Sequence, residues 1–317
     1  MKKILITGAS GFVGNHLIEL LLKEDNQIFG TYLTDKSKET LSRFGDKLKL
    51  TQIDLSDEVK VFSLIEEIKP DLIFHLAAST SPAESFNDPK GTIVNNITVE
   101  LNILEALRKI NLTETRVLIT SSADIYGKVK KEDLPINENC PLNPTSPYAV
   151  SKIAQDFLAL QYFNAHSIKT IRARAFNHVG PGQAPAFVVS AFAKKIAEIE
   201  NISGEKITVG NLDSKRDFTD VRDMVKAYAQ IIEKGNPGDV YNIGSGKSFK
   251  ISEILDNLIK LSNKKITVKI DEKLMRPVDN PELVCDATKI TEVIDWKPEI
   301  KLKKTLEDTL NYWRRNI

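Results

Sequence analysis

KILITGASGFVG, Lys3 to Gly14, starts as a short apolar run and passes at once into a turn marked by Gly8, Gly11 and Gly14. A run with so little polar content suits a strand buried on both faces. Asn15 to Leu22 then carries Leu17, Leu20 and Leu21 at helical spacing, so the glycines stand where a strand hands over to a helix. Glycine at such a junction lets the backbone turn tightly and approach a pyrophosphate, while helix N-terminal amides and the helix dipole favour negative charge. The spacing is G-x-x-G-x-x-G, one residue wider at the front than the dinucleotide fingerprint, and alone it also suits a purely architectural turn.

The alternation continues beyond that unit. QIFGTY (Gln27–Tyr32), KLTQIDL (Lys49–Leu55), DLIFHLAA (Asp71–Ala78), RVLITSS (Arg116–Ser122) and KTIRARAF (Lys169–Phe176) read as strands. Helical patterns at Glu58–Ile68, Ile93–Ile110 and Tyr148–Ala165 separate them. Near-continuous apolar strands alternating with helices predict an α/β fold with a doubly wound parallel sheet of the Rossmann kind. After Phe176 the rhythm changes: Gly180-Pro181-Gly182 breaks the chain, a helix is expected at Val188–Glu200, and KITVGN (Lys206–Asn211) reads as a strand outside the main alternation. DVYNIGS (Asp239–Ser245) is again a short buried strand, and helices at Ile251–Leu261 and Leu302–Arg314 flank the strand-like TVKID (Thr267–Asp271). The expected division is discontinuous. Residues 1–176 with about 217–246 form a dinucleotide-binding domain, and about 177–216 with 247–317 form a smaller α/β substrate-binding lobe.

The 317 residues are 41% hydrophobic and 27% charged, as in ordinary soluble proteins. A net charge of +1 gives no electrostatic reason to expect nucleic acid or an anionic membrane as partner. No apolar run approaches the roughly 20 residues of a membrane span, and the apolar stretch after Met1-Lys2-Lys3 is too short and glycine-broken for a signal peptide. Cys140 and Cys285, the only cysteines, make neither a disulfide framework nor a cysteine-based metal site, so a reducing cytoplasm and no metal are expected.

Two further features carry chemistry. Asp54, at the end of the third strand, stands where a carboxylate could take an adenine amine or cap the next helix. SPYAVSK supplies Tyr148 and Lys152 on one helix face. A phenol with a pKa near roughly 10 trades protons poorly at neutral pH, and an ammonium beside it is expected to lower that value. Tyr148 could then give a proton to a carbonyl oxygen as hydride reaches the carbon, while Lys152 bonds a ribose hydroxyl. The tip of the second strand, GTYLTDK (Gly30–Lys36), has neither an acid nor an arginine at the turn and leaves NAD and NADP both open.

TGASGFVG, HLAA (His75–Ala78), SSADIYG and SPYAVSK, in that order, resemble the extended short-chain dehydrogenase/reductase family, which acts largely on nucleotide sugars. The resemblance covers essentially the whole chain. It implies a catalytic group of Ser122, Tyr148 and Lys152, with the Ser122 hydroxyl aligning the substrate carbonyl. It implies NAD(P) binding by Gly8, Ser10, Gly11, Phe12, Val13, Gly14, Asp54, Leu55, Leu76, Ala77 and Ala78 together with Tyr148 and Lys152. Asn102 is a candidate for the asparagine that supports the lysine, with Asn95 and Asn96 as alternatives, and His75 is read as a structural residue at a strand end.

In RAFNHVGPGQ, Asn177 matches the family's ligand to the sugar-nucleotide diphosphate, and Arg216 and Arg276 match its arginines for phosphate and ribose. Arginine meets phosphate through a planar fork, which suits that role. FNHVGPGQ, FVVSAFAKKIAEIE and VGNLDSKRDFTDVRD most resemble the branch that reduces GDP-4-keto-6-deoxy-mannose, and more loosely the GDP-mannose dehydratases. That implies a GDP-sugar, with Val188, Lys194 and backbone near Val209 lining its pocket and Asp124 beside the sugar. The expected reaction is NAD(P)H-dependent reduction of a C4 ketone to GDP-D-rhamnose or its C4 epimer, in a homodimer paired through the helices at Ile93–Ile110 and Tyr148–Ala165.

Elimination of water is the competing reading. Resembling dehydratases carry a glutamate two residues before the tyrosine of the YG pair, where this chain has Asp124, one methylene shorter, preceded by Ala123. Reduction needs only the tyrosine, lysine, hydroxyl and cofactor, so reductase is preferred. A 4-epimerase and a catalytically silent nucleotide-binding scaffold are the remaining alternatives.

Overall fold

The computed structural model describes residues 1–201, 206–275 and 280–317. From the N-terminus the chain runs β1 (Lys2–Thr7), α1 (Phe12–Leu21), β2 (Asn26–Tyr32), α2 (Asp35–Glu39), β3 (Leu48–Gln52), α3 (Glu58–Ile68) and β4 (Leu72–His75). It continues through α4 (Pro82–Ser85), α5 (Pro89–Lys109), β5 (Arg116–Ser122), α6 (Pro147–His166), β6 (Lys169–Ala175) and β7 (Asn177–Val179). Then come α7 (Val188–Asn201), β8 (Lys206–Val209), β9 (Lys215–Asp220), α8 (Val221–Lys234), β10 (Val240–Ile243) and β11 (Ser248–Lys250). The last elements are α9 (Ile251–Lys260), β12 (Thr267–Ile270), β13 (Glu282–Leu283), α10 (Thr288–Ile294) and α11 (Leu302–Arg315).

Seven strands form a parallel sheet in the order β10-β6-β5-β4-β1-β2-β3. Ile4 pairs with Ile28 of β2 on one side and with Leu72 of β4 on the other, so the winding direction reverses beside β1. Successive strand residues point to opposite faces. Ile4 and Ile6 therefore join α1 and α8 in one core through Leu17, Ile18, Met224 and Tyr228. Leu5 enters the other core, with Val61 and Ile65 of α3, Val99 and Ile103 of α5 and Ala159 of α6. Each fully buried Leu, Ile or Val side chain contributes roughly 1.5–3 kcal/mol, so burial on both faces accounts for the nearly unbroken apolar strands.

A second sheet holds β11-β9-β13, with β7 also paired to β9, and β8 pairs in parallel with β12. A third core of Val189, Phe192, Ile196, Leu255, Leu306 and Leu310 packs α7, α9 and α11 together beside these strands. The sequence reading left out α8 and β9. Asp220 ends the strand and caps the helix, accepting from the Arg222 amide at 2.9 Å, and its carboxylate also accepts from the Thr305 hydroxyl at 2.7 Å. One residue therefore ties β9, α8 and α11 together. No helix among the described residues is long and apolar enough to cross a membrane.

Candidate active site

A cavity of about 600 Å³ opens along the C-terminal ends of the parallel strands, where a doubly wound sheet presents its crevice. Its floor is the turn from β1 into α1. Gly8 has φ +67, and a Cβ there would stand 2.9 Å from the Ala77 backbone. Gly14 leaves no room either, since its Cβ would meet the Ala9 carbonyl oxygen at 2.5 Å. Gly11 caps α1 without a side-chain hydrogen bond, and the first turn carries no acid, so the terminal amides keep their positive field for an anion. Opposite, the Thr7 hydroxyl lies 2.9 Å from Nδ1 of His75 and accepts from the Ala77 amide at 3.3 Å, pinning the end of β4 to the end of β1. Burial and the Lys152 charge depress His75 to about 3, so it stays neutral and serves as a strut. A dinucleotide fits this cradle, because the uncapped amides at the start of α1 face the cavity and offer a pyrophosphate their positive field.

Asp54 lies at the exposed rim and accepts from the Ser56 amide at 2.9 Å, a bond that holds its pKa down. It does not cap α3. Asp57 does, accepting from the Lys60 amide at 3.1 Å. Asp54 therefore keeps its place on the cavity wall beside Leu55.

The reactive end is built by β5 and α6. Ser146 caps α6, accepting from the Ala149 amide at 3.1 Å, and Pro147 starts its first turn, which fixes Tyr148 at the helix mouth. Lys152 follows one turn later and donates to the Thr120 carbonyl oxygen at 2.8 Å. β5 ends at Ser122, whose hydroxyl accepts from the Asp124 amide at 3.1 Å and starts a single 3-10 turn over Ala123–Tyr126. Ser122, Asp124, Tyr148 and Lys152 all line the cavity. Tyr126 turns away: its hydroxyl donates to Asn242 at 2.7 Å and accepts from Arg174 at 2.9 Å, so it is a buried brace.

One electrostatic expectation is corrected. The Tyr148 pKa is raised, first by burial and then by the Asp124 charge, with a hydrogen bond from Ser122 in partial opposition. The lysine that was expected to lower it makes its hydrogen bond to the Thr120 carbonyl oxygen and not to the phenol. Tyr148 is thus a protonated phenol at neutral pH, poised as a donor.

The sequence profile described as GDP-mannose 4,6 dehydratase matches residues 5–309. The chain belongs to that family. It is 32% identical to the GDP-6-deoxy-D-mannose reductase of Pseudomonas aeruginosa over 317 residues, spanning 100% of this chain and 98% of that one. It is also 32% identical to the GDP-6-deoxy-D-talose 4-dehydrogenase of Aggregatibacter actinomycetemcomitans over 297 residues, covering 92% and 91% of the two chains. The solved structure of RMD from Pseudomonas aeruginosa complexed with NADPH superposes with a TM-score of 0.87 at 32% identity, covering 100% of both chains.

In this family member every residue named above for the dinucleotide lines the cavity, as do Asn177, Val188 and Arg216. Arg216 donates to the backbone oxygens of Asn280 and Lys215 at 2.7 and 2.8 Å, which aims it from β9 into the cleft. Lys194 and Val209 are placed elsewhere. The Lys194 ammonium pairs with Glu198 at 3.6 Å and lies 5.6 Å from the Trp313 ring centroid. Val209 is buried in the third core, and its carbonyl oxygen is taken by the Asp271 amide. Arg276 lies outside the described residues. Asn102 is corrected too: it donates to the Leu55 carbonyl oxygen at 2.9 Å, whereas Asn96 donates to Ser151, the neighbour of Lys152, at 2.9 Å. Residues that the sequence reading did not single out also reach the cavity, among them Gln183, Asn280 and Tyr228. Tyr228 sits on α8 near Tyr148, and the apolar spacing of Val221, Val225, Tyr228 and Ile232 was the signal for that helix.

Proposed function

We propose that this enzyme reduces the C4 ketone of a GDP-4-keto-6-deoxyhexose, giving GDP-D-rhamnose or its C4 epimer. The observation that carries the reading is the buried Tyr148 phenol, which lines one cleft with Ser122, Lys152 and the glycine turn of β1 and α1. Bound NADPH or NADH supplies the hydride. Ser122 then bonds the ketone oxygen, Tyr148 donates its proton to that oxygen, and Lys152 offsets the phenolate left behind. The identity to a GDP-6-deoxy-D-mannose reductase and the NADPH complex of a similar chain support the substrate class and NADPH. Asn177 and Arg216 are read as ligands of the diphosphate, and about 177–216 with 247–317 as the sugar-nucleotide lobe.

Dehydration is the second reading, since the family profile bears that name. Against it, Asp124 is shorter than a glutamate and Ala123 offers no acid. Incubation with GDP-mannose, and separately with its 4-keto-6-deoxy product plus NADPH, decides by mass: gain of two hydrogens by the second supports the reductase, while loss of water from the first overturns it. Exposed Val94 on α5 and Val150 and Phe157 on α6 support pairing of two copies through these helices.

A further inference from the structure

Between α5 and α6 a carboxyl lies fully enclosed. Glu100 is 0% exposed, and both of its oxygens are without a hydrogen-bond partner among the described residues. The side-chain amide of Gln155 has no partner at full hydrogen-bonding geometry either, and with Lys152 it is the group beside Glu100 that favours the ionised carboxyl. Asn96 to Ser151 at 2.9 Å and Tyr162 to Glu105 at 2.6 Å fix α5 and α6 side by side and running the same way. One turn after Asn96, Glu100 therefore meets α6 one turn after Ser151, among Lys152, Gln155 and Asp156.

An ionised carboxylate cannot remain there alone, because its desolvation cost is far above what the fold tolerates. Asp156 is already saturated, accepting from Arg172 at 2.8 Å and from Arg174 at 2.9 and 3.0 Å. Lys152 is the cation left facing Glu100. Neutral His75 faces Lys152 from β4, and α3 meets α5 through the apolar Val61 and Ile65.

We propose that Glu100 and Lys152 share one proton, making Glu100 a positioning residue that sets the charge of Lys152 during turnover. In one state the carboxylic acid faces a neutral amine. In the other the carboxyl O–H bond has broken, an N–H bond has formed on Lys152, and the pair is carboxylate and ammonium with unchanged net charge. As Tyr148 gives up its proton, the developing phenolate favours the second state, so a counter-charge arises without solvent entering. Burial pushes Glu100 well up and Lys152 down, while each charge opposes the other's shift, as sharing requires.

The proposal rests on Tyr148 and Lys152 being the proton-transfer pair. The test compares Glu100→Gln with wild type, both bound to NADPH, across a pH series of keto-sugar reduction. Loss of the carboxylate should lower the basic limb of the rate by about one pH unit or more, the usual size of one close opposite charge. An unmoved limb overturns the proposal. Infrared difference spectra of the wild-type NADPH complex give a readout that needs neither turnover nor a folded variant. They should contain a protonated-carboxyl band that disappears as pH rises along the basic limb, and a site lacking that band overturns the proposal. Full activity in Tyr148→Phe would instead remove the underlying reading, and the carboxyl band distinguishes the two failures.

Discussion

The Lys152 side chain donates to the Thr120 carbonyl oxygen at 2.8 Å, so its nitrogen is held by the end of β5 and not by the tyrosine on its own helix. A strand carbonyl is a fixed point, and fixing the Lys152 nitrogen before substrate arrives is the preorganisation that transition-state stabilisation needs. Lys152→Met keeps much of the side-chain length and removes the charge. Its expected effect is a turnover loss of about 10²–10⁴-fold, the usual range for proton-transfer groups, with weaker NADPH binding. Steady-state rates and fluorescence titration with NADPH check this.

Tyr148→Phe should lose turnover over the same range, about 10²–10⁴-fold, while thermal stability and NADPH affinity hold. The sign of the pH dependence follows from the two shifts. Tyr148 keeps its proton above its ordinary value, while Lys152 loses its proton below its own. Reduction should therefore run at full rate on the acid side of neutrality and fall first as Lys152 discharges. A pH series that instead rose through the alkaline range would contradict the donor role.

Gly14→Ala tests the cradle. The added Cβ would lie 2.5 Å from the Ala9 carbonyl oxygen and 2.7 Å from that of Gly8, both backbone atoms that cannot swing aside. Overpacking of this kind costs about 1–3 kcal/mol. The expected result is a lower melting temperature and a smaller stabilisation by NADPH, read by thermal unfolding with and without the dinucleotide.

How much could be seen in the sequence depends on how local each signal is. Gly8, Gly11 and Gly14 are close neighbours, and Tyr148 and Lys152 are one helical turn apart, so periodicity alone brought them together. Asn96 and Asn102 cannot be separated that way, because the choice depends on what α5 meets across space: Ser151 for one, the Leu55 carbonyl for the other. Glu100 is the extreme case. A glutamate in a helix reads as solvent-facing, and only the packing of α6 against it shows that it is enclosed. Helix α8 was legible in principle, but the charges of KRDFTDVRD drew the reading toward phosphate binding and hid the capping role of Asp220.

Asp156 carries the stability prediction. It is 0% exposed between two guanidiniums that are themselves nearly enclosed. Asp156→Asn would leave both cations buried against a neutral amide, at a cost of about 3–5 kcal/mol. Glu114→Ala, which breaks the surface pair with Lys169 where the glutamate side chain is 85% exposed, should cost about 1 kcal/mol or less. Urea unfolding of the two variants should separate them clearly, and equal midpoints would refute the assignment.

Asp124→Asn asks whether this carboxylate positions substrate or abstracts a proton. Asp124 faces the cavity from the 3-10 turn after Ser122, and its charge helps hold the Tyr148 pKa up. Removing that charge makes the phenol a somewhat stronger acid and, on the proposed positioning role, weakens the hold on a sugar hydroxyl. The two effects oppose each other in turnover but not in binding. A reductase variant should therefore keep kcat within about tenfold of wild type while KM rises, the pattern of lost ground-state binding. A base that removed a proton from carbon would leave no such residue of activity. Loss of turnover as deep as that of Tyr148→Phe, with KM unchanged, would make Asp124 a proton-transfer group and return the dehydratase reading to first place.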